Sequence, residues 1–203
     1  MPDTLKQSVI DAGKWIDQQG WCPATGGNFS VRIDANHAWV TASGKHKGAL
    51  TPEDLLQVDL KGAVIGSEKR PSAETLLHMA LYGLDADIGA VLHTHSVSST
   101  VLSRLVDREV LTLRGYEMQK SLSGNTTHDA EAAIHVFDNT QDMPELAAQL
   151  RQYWLQCPLQ WGFLVRGHGL YAWGRDMAEA RRHLEGLEFL FACELEMIKL
   201  GQR

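Results

Sequence analysis

The stretch that decides the fold is Ile88-Gly-Ala-Val-Leu-His-Thr-His95, an apolar run that ends in two histidines. A short apolar run bounded by polar residues is typical of a buried strand. Side chains two residues apart on a strand project from the same face, about 6–7 Å apart along the backbone. Both imidazoles could therefore bind one ion, and the pair predicts half of a metal site. Two histidines with purely structural hydrogen bonds are the alternative that this spacing leaves open.

Length and composition predict an ordinary globular protein. The chain has 203 residues, of which 44% are hydrophobic and 22% are charged, and both values lie near globular averages. A chain of this length suits one well-buried domain better than two. We therefore expect a single domain over residues 1–203.

Charge and cysteine usage bear on partners and location. The net charge of −6 comes without any basic run, which argues against nucleic acid as the main partner. The first residues lack a signal-peptide pattern, and no stretch approaches the ~18 apolar residues of a membrane span. The three cysteines are widely spaced, without a Cys-x-x-Cys pair, as expected for reduced thiols. We expect a cytoplasmic protein with no nucleic-acid or membrane partner.

Periodicity and turn residues predict alternating strands and helices. The predicted helices begin near Asp3, at Pro71, after Thr100, at Pro144 and after Asp176. The predicted strands cover residues 28–33, 37–41, 57–60, 63–65, 88–92, 110–113, 133–137, 161–165 and 170–173. Because the first strands form hairpins, an all-parallel sheet is excluded in favour of a mixed or antiparallel sheet covered by helices on both faces.

A third candidate ligand, His168, lies between two glycines in Arg166-Gly-His-Gly169. Glycines on either side let a tight turn carry the imidazole close to another backbone segment without steric conflict. Three histidines with an open fourth position describe a catalytic rather than a structural metal site. An ordinary hairpin turn is the alternative.

Two carboxylates are candidates for acid/base chemistry. Glu74 follows Pro71-Ser-Ala at a helix start, where the helix dipole already favours an acidic residue. Glu117 lies in an irregular stretch, where position alone favours a solvated carboxylate. Either one needs a neighbouring metal and substrate to serve as a general base.

Two small-residue loops indicate phosphate binding. Thr25-Gly-Gly-Asn28 and Thr41-Ala-Ser-Gly-Lys45 place backbone N–H groups and polar side chains at element boundaries. Neither matches the nucleotide loop or the dinucleotide fingerprint, so a small phosphate ester fits better than a nucleotide. Ser72 could supply a further donor, and Lys45 or Lys47 a cation. Ordinary turns between strands are the alternative.

Five short motifs, taken in order, resemble the class II aldolase/adducin family over almost the whole chain. They are Gly26-Gly-Asn28, Ser43-Gly44, Pro71-Ser-Ala-Glu74, His93-Thr-His95 and Gly167-His-Gly169. The resemblance implies a single three-layer α/β/α domain with a central mixed, largely antiparallel sheet.

The same resemblance implies a cofactor and a substrate class. It implies one zinc ion per subunit, bound by His93, His95 and His168. It also implies a phosphate pocket lined by Asn28, Ser43, Gly44 and Ser72. The family's aldolases have a second serine before the glutamate, whereas this chain has Ala73, so the pocket here has one donor fewer.

Three further stretches are similar to a dehydratase branch of the family: Gly115–Leu122, Val136–Asp142 and Val165–Gly174. This similarity implies a homotetramer that dehydrates a small phosphorylated ketose, 5-methylthioribulose 1-phosphate, to 2,3-diketo-5-methylthiopentyl 1-phosphate in methionine salvage. The acid/base glutamate of that branch matches Glu117. The aldolases use the one matching Glu74, which is here a possible secondary acid/base group or ligand.

Two other functions stay open. A class II sugar-phosphate aldolase or 4-epimerase would use the same metal site, with Glu74 in the leading role. A noncatalytic adducin-like scaffold would keep the fold without the metal chemistry. Retention of the three histidines and both glutamates argues against the scaffold.

Overall fold

The computed structural model describes residues 2–202, which contain nine strands and five α-helices. The strands are β1 (Asn28–Arg32), β2 (His37–Thr41), β3 (Leu55–Asp59), β4 (Val64–Ile65), β5 (Ala90–Thr94), β6 (Val110–Leu113), β7 (Ala132–Phe137), β8 (Gly162–Val165) and β9 (Gly169–Gly174). The helices are α1 (Pro2–Gln18), α2 (Thr75–Leu84), α3 (Val97–Leu105), α4 (Met143–Gln156) and α5 (Met177–Lys199).

All of the described strands belong to one sheet in the order β4-β3-β2-β1-β5-β9-β8-β7-β6. The pair β7 and β8 is parallel, and the other neighbouring strands are antiparallel. The predicted mixed, largely antiparallel sheet is confirmed. The predicted domain limits, residues 1 and 203, lie outside the described residues, and the single-domain assignment stays a prediction.

Two hydrophobic cores lie on opposite faces of the sheet. Leu92 packs in one core with residues of α1, α3 and α5, whereas Val91 packs in the other with residues of α2 and α4. Adjacent strand residues point to opposite faces, so this division shows helices on both sides. Burying a leucine or valine side chain contributes about 1.5–3 kcal/mol. None of the described helices combines the length and the apolar character needed to cross a membrane.

Three element boundaries near the histidine pair differ from the prediction. Strand β5 continues past Leu92, because His93 and Thr94 still pair with strand β9. Helix α3 begins at Val97 rather than after Thr100, because the Ser96 hydroxyl caps it by accepting a hydrogen bond from the Ser99 N–H at 3.0 Å. Helix α2 begins at Thr75, after a turn through residues 73 and 74. His93 therefore lies within the strand, and the second histidine of the pair lies directly after it.

A buried carboxylate on α5, Glu188, is hydrogen-bonded to the end of strand β5 from the sheet face opposite to α2. Glu188 is 2% exposed and accepts hydrogen bonds from the hydroxyls of Thr94 at 2.9 Å and Ser96 at 2.5 Å. Burial raises the pKa of Glu188 to about 7, although both hydroxyl hydrogen bonds act to lower it. The group therefore stays protonated in the folded protein at pH values where it ionises in the unfolded chain.

This raised pKa predicts a pH-dependent stability that Glu188→Gln removes. Between pH 4.5 and 7 the unfolded chain loses the proton while the folded protein keeps it, so the stability present below pH 4.5 is lost as the pH rises through 7. The difference in unfolding free energy, wild type minus variant, should fall by about 3 kcal/mol over this range. Denaturant titrations of both proteins with a chelator present measure it; a pH-independent difference would contradict a raised pKa.

Candidate active site

Three histidines converge at the end of strand β5. The Nε2 atom of His95 lies 2.8 Å from that of His93, and the Nε2 atom of His168 lies 3.3 Å from His93 and 3.1 Å from His95. His168 enters from the turn between β8 and β9. The structure thus brings together all three residues that the sequence predicts as metal ligands.

Two glycines permit this approach of three backbone segments. A Cβ atom on Gly169 would collide with the Thr94 carbonyl oxygen. Gly27 has φ +74°, and a Cβ there would lie 2.5 Å from the carbonyl oxygen of His93. Residues with side chains would separate β9 and the loop before β1 from the histidine strand. The close approach predicted from the Gly-His-Gly turn is present.

The chemistry of the histidines fits a cation. The Nδ1 atom of His93 lies 2.9 Å from the Leu170 carbonyl oxygen, so Nδ1 carries the proton and Nε2 presents a lone pair. Burial lowers the pKa of His93 well below its ordinary value and that of His95 to about 4. Neutral imidazoles aimed at one point are the form that binds a metal ion. This donor set fits a divalent metal.

Glu74 completes the cluster as its fourth member. Its Oε1 lies 2.9 Å from Nε2 of His168 and its Oε2 lies 3.6 Å from Nε2 of His93, and the Asn28 amide donates to Oε2. Burial acts to raise the pKa of Glu74, but the hydrogen bond with His168 and the electrostatic interactions with His93 and His168 bring it well below its ordinary value. An ionised carboxylate here can serve as a metal ligand or accept a proton from a substrate.

A stack of aromatic rings packs against His93 of the cluster. Tyr171 lies parallel to His93 with ring centroids 3.9 Å apart, and Phe163 stacks on the other side of Tyr171 at 4.8 Å. Tyr171 faces His93 because the two residues are paired in the β5–β9 register. Sequence reasoning missed this support, since no motif marks a pairing between residues so far apart.

A cavity of about 330 Å³ opens beside the cluster. Its lining includes the four residues predicted to bind phosphate, Asn28, Ser43, Gly44 and Ser72. An isolated bridge between Ala42 and Pro71 draws together the loop that carries Ser43 and Gly44 and the loop that carries Ser72. Gln141, in the connection between β7 and α4, and Met143, the first residue of α4, also line the cavity. The sequence analysis assigned neither residue a role, although Gln141 lies in the stretch Val136–Asp142 that is similar to the dehydratase branch.

Lys45 and Lys47, the two candidate cations for phosphate binding, differ in their position relative to the cavity. Lys47 lines it and is buried, and its ammonium donates to the carbonyl oxygens of Thr25 at 2.8 Å and Lys45 at 2.7 Å. Burial lowers the pKa of Lys47, while the electrostatic interactions with the nearby Cys22 and Glu74 act to raise it. Lys45 instead lies 2.9 Å from Asp54 and is 44% exposed. Lys47 is therefore the cation that the cavity contains.

Glu117 lies apart from the cluster and from the residues that line its cavity. Its side chain is 71% exposed, and its Oε1 lies 2.7 Å from the Lys120 ammonium. The hydrogen bond from Lys120 lowers the pKa of Glu117. The structure therefore does not bring this predicted acid/base residue to the pocket of its own chain.

Comparison with known proteins decides the family. The model of the class II aldolase and adducin N-terminal domain matches residues 7–195, most of the chain. The chain belongs to the class II aldolase and adducin family. The metal-ligand and phosphate motifs described above lie within the matched segment, and a divalent metal site is consistent with this family.

Relatives within the class II aldolase and adducin family include two dehydratases. The chain is 57% identical to methylthioribulose-1-phosphate dehydratase of Serratia proteamaculans, over 94% of this chain and 93% of the relative. It is 51% identical to the protein of the same name from Marinobacter nauticus, over 97% of this chain and 95% of the relative. The similarity therefore extends through both the cluster and the Glu117 region.

A solved structure shows the same fold. L-fuculose-1-phosphate aldolase from Thermus thermophilus superposes with a TM-score of 0.79 at 27% identity, covering 100% of this chain and 98% of the aldolase. The predicted class II aldolase-like fold is confirmed. Because the fold is shared with an aldolase, fold alone does not distinguish bond cleavage from dehydration.

Proposed function

We propose that this protein catalyses the metal-dependent dehydration of 5-methylthioribulose 1-phosphate to 2,3-diketo-5-methylthiopentyl 1-phosphate in methionine salvage. The observation that carries the proposal is the convergence of three histidine Nε2 atoms within 3.3 Å of one another. A cavity of about 330 Å³, lined by the residues predicted to bind phosphate, adjoins them. The names of the relatives supply the substrate and the reaction.

The reaction removes one water molecule. A base takes the proton from C3, the electron pair of that C–H bond forms the C3–C4 double bond, and the C4 hydroxyl leaves with a proton as water. The enol then tautomerises to the 2,3-diketone. The overall change requires no oxidant or reductant.

His93, His95 and His168 would hold one zinc ion per subunit. When bound there, the ion would act as a Lewis acid that polarises the C2 ketone and stabilises negative charge on its oxygen. The Nδ1–H of His93 is held by the Leu170 carbonyl, and such second interactions orient a ligand imidazole.

Phosphate binding is proposed for Asn28, Ser43, Gly44 and Ser72. Gly44 has φ +73°, a conformation that turns its backbone N–H away from the strand path and suits an anion-binding turn. Anchoring C1 through the phosphate would place C2 and C3 near the cluster. Positioning of this kind lowers barriers by several kcal/mol.

Removal of the C3 proton requires a base, and we assign this role to the Glu117 carboxylate. Since Glu117 is exposed and outside the pocket of its own chain, this assignment requires a second copy of the chain to bring it there. The homotetramer implied by the family resemblance would supply such a copy. Glu74, inside the cluster, is proposed as a ligand or secondary acid/base group.

Lys47→Gln is expected to raise KM for the phosphorylated substrate roughly 10- to 100-fold with a smaller effect on kcat, because loss of a charged hydrogen-bond donor costs about 1.5–3 kcal/mol. Lys45→Gln is the matched control and should leave KM near the wild-type value, because Lys45 pairs with Asp54. Steady-state kinetics and melting temperatures of both variants measure this. An unchanged KM in folded Lys47→Gln would remove Lys47 from phosphate binding.

An aldolase or 4-epimerase is the second candidate, favoured by the position of Glu74 in the cluster. Purified, metal-loaded protein distinguishes the two when given methylthioribulose phosphate. Diketone absorbance supports dehydration, and aldehyde cleavage products support an aldolase. Stoichiometric metal without turnover on either class of substrate would favour the noncatalytic scaffold.

We also propose that the protein acts in the cytoplasm. Cys22, Cys157 and Cys193 are all free thiols in the structure, as expected in a reducing compartment. Peptide mapping after alkylation under denaturing conditions, which expose the buried Cys22, should find all three modified.

A further inference from the structure

The Glu188 side chain is hydrogen-bonded to the residues immediately before and after His95, a proposed metal ligand. Thr94 precedes His95 and Ser96 follows it, and their hydroxyls donate to Oε1 and Oε2 of the same Glu188 carboxylate at 2.9 and 2.5 Å. Glu188 itself lies on helix α5, more than 90 residues further along the chain. One buried side chain therefore restrains the residues before and after His95.

The contact reaches the histidine segment from the opposite face of the sheet. His93 points to the face that carries Tyr171, its stacking partner in the α2 and α4 core. Thr94 is the next residue on the strand and so points to the α5 face. Glu188 therefore lies outside the metal cluster and acts on it through the backbone.

Ser96 links the Glu188 carboxylate to the start of helix α3. Its hydroxyl oxygen accepts a hydrogen bond from the Ser99 N–H at the start of α3, and its O–H donates to Glu188. The backbone N–H of His95 donates to the Trp21 carbonyl oxygen at 2.8 Å. The end of β5, the turn that carries His95 and the start of α3 are thus held as one unit.

Burying a carboxyl group with only hydroxyl partners is unfavourable compared with an apolar side chain of similar size. Packing alone therefore does not require a glutamate at position 188. Restraint of the turn on both sides of His95 is a role that an apolar residue could not fill, because it offers no acceptor to either hydroxyl.

We infer that Glu188 is a positioning residue that orients His95 for metal binding through its paired hydrogen bonds to Thr94 and Ser96. This inference rests on the proposed metal centre. It assigns Glu188 no contact with the metal or the substrate. Its hydrogen bonds preorganise the turn that carries His95. Fewer groups must then be ordered when the ion binds, so the affinity for the metal is higher.

The test measures cobalt binding and the visible spectrum of bound cobalt in the full chain without substrate. Glu188→Ala is expected to lower cobalt affinity about 10- to 100-fold, the range found for residues that orient metal ligands, and to alter the spectrum. Above pH 7, where Glu188 is ionised and offers two acceptor oxygens, Glu188→Gln keeps only one and should fall between wild type and Glu188→Ala. Leu187→Ala, a fully buried neighbour on the same helix, is the control: it should lower the melting temperature with cobalt affinity unchanged.

A second pair of variants covers failure of Glu188→Ala to fold. Thr94→Val removes one hydroxyl at nearly constant volume and should weaken cobalt binding, whereas Thr94→Ser keeps the hydroxyl and should restore it. Wild-type affinity and spectrum in Glu188→Gln and Thr94→Val would overturn the inference alone. A wild-type protein that binds no cobalt would overturn the metal centre as well, and a failed dehydration assay with these cobalt results intact would overturn only the proposed reaction.

Discussion

Replacing His95 with alanine should reduce bound metal to far below one ion per chain and abolish turnover. The Nε2 atoms of the three histidines lie 2.8–3.3 Å apart, so each contributes one of a small set of donors. Removing one donor should weaken affinity at least about 100-fold, more than loss of an orienting partner does. Elemental analysis after dialysis against a weak chelator, together with the dehydration assay, measures both effects.

His37→Ala is the matched control for His95→Ala. His37 lies at the start of β2, where its ring is 3.0 Å from the Asp34 carboxylate, and it is not a member of the metal cluster. Its replacement should leave metal content and turnover unchanged. Equal metal content in His95→Ala and His37→Ala would contradict the site altogether.

Glu117→Gln should keep its fold and its metal while losing dehydration by about 100- to 10,000-fold, the range that acid/base groups contribute. An amide cannot take the C3 proton or return it to the leaving hydroxyl. Because the Glu117 side chain is 71% exposed, the substitution should have little effect on stability. Glu131→Gln is the control, since Glu131 is a similarly exposed carboxylate at 62% with no assigned role. Near-normal turnover in Glu117→Gln would remove it from the acid/base role.

Mixing two inactive variants tests whether Glu117 acts in a second copy's pocket. In hybrid oligomers of Glu117→Gln and His95→Ala, some pockets combine an intact histidine cluster with an intact Glu117 from the neighbouring chain. Random assembly should recover roughly a quarter of wild-type activity, because half of the pockets and half of the neighbours are intact. No recovery after joint unfolding and refolding would contradict a shared site.

The sequence predicted most of the fold because its local signals were strong. Alternating residues in Phe29, Val31 and Ile33 predicted the first hairpin, which is present as β1 and β2. The apolar stripe Ala180, Leu184, Leu187, Phe191 and Ile198 predicted α5; the first four residues are buried and Ile198 is half-buried. The errors were at boundaries. Helix α3 begins earlier than predicted because Ser96 caps it, and a cap depends on backbone geometry as well as residue type.

The candidate site could be predicted in part. The spacing of His93 and His95 and the glycines around His168 made these residues candidate ligands, and the family resemblance implied that they bind one ion. The sequence left two roles open for Glu74, a helix-start residue or a site residue. In the structure it lies in the cluster. Tyr171 and Glu188 were missed, because strand register and helix packing bring them to the site.

The sequence by itself determined the periodicity of the strands and helices and the family to which these motifs belong. Tertiary structure alone decided which distant side chains meet. His93 and His168 are brought within 3.3 Å, Glu188 reaches both neighbours of His95, and Glu117 stays outside the pocket of its own chain. The physical reason is that periodicity and capping depend on residues a few positions apart. Convergence depends on register and packing between segments far apart in the chain, which local patterns do not specify.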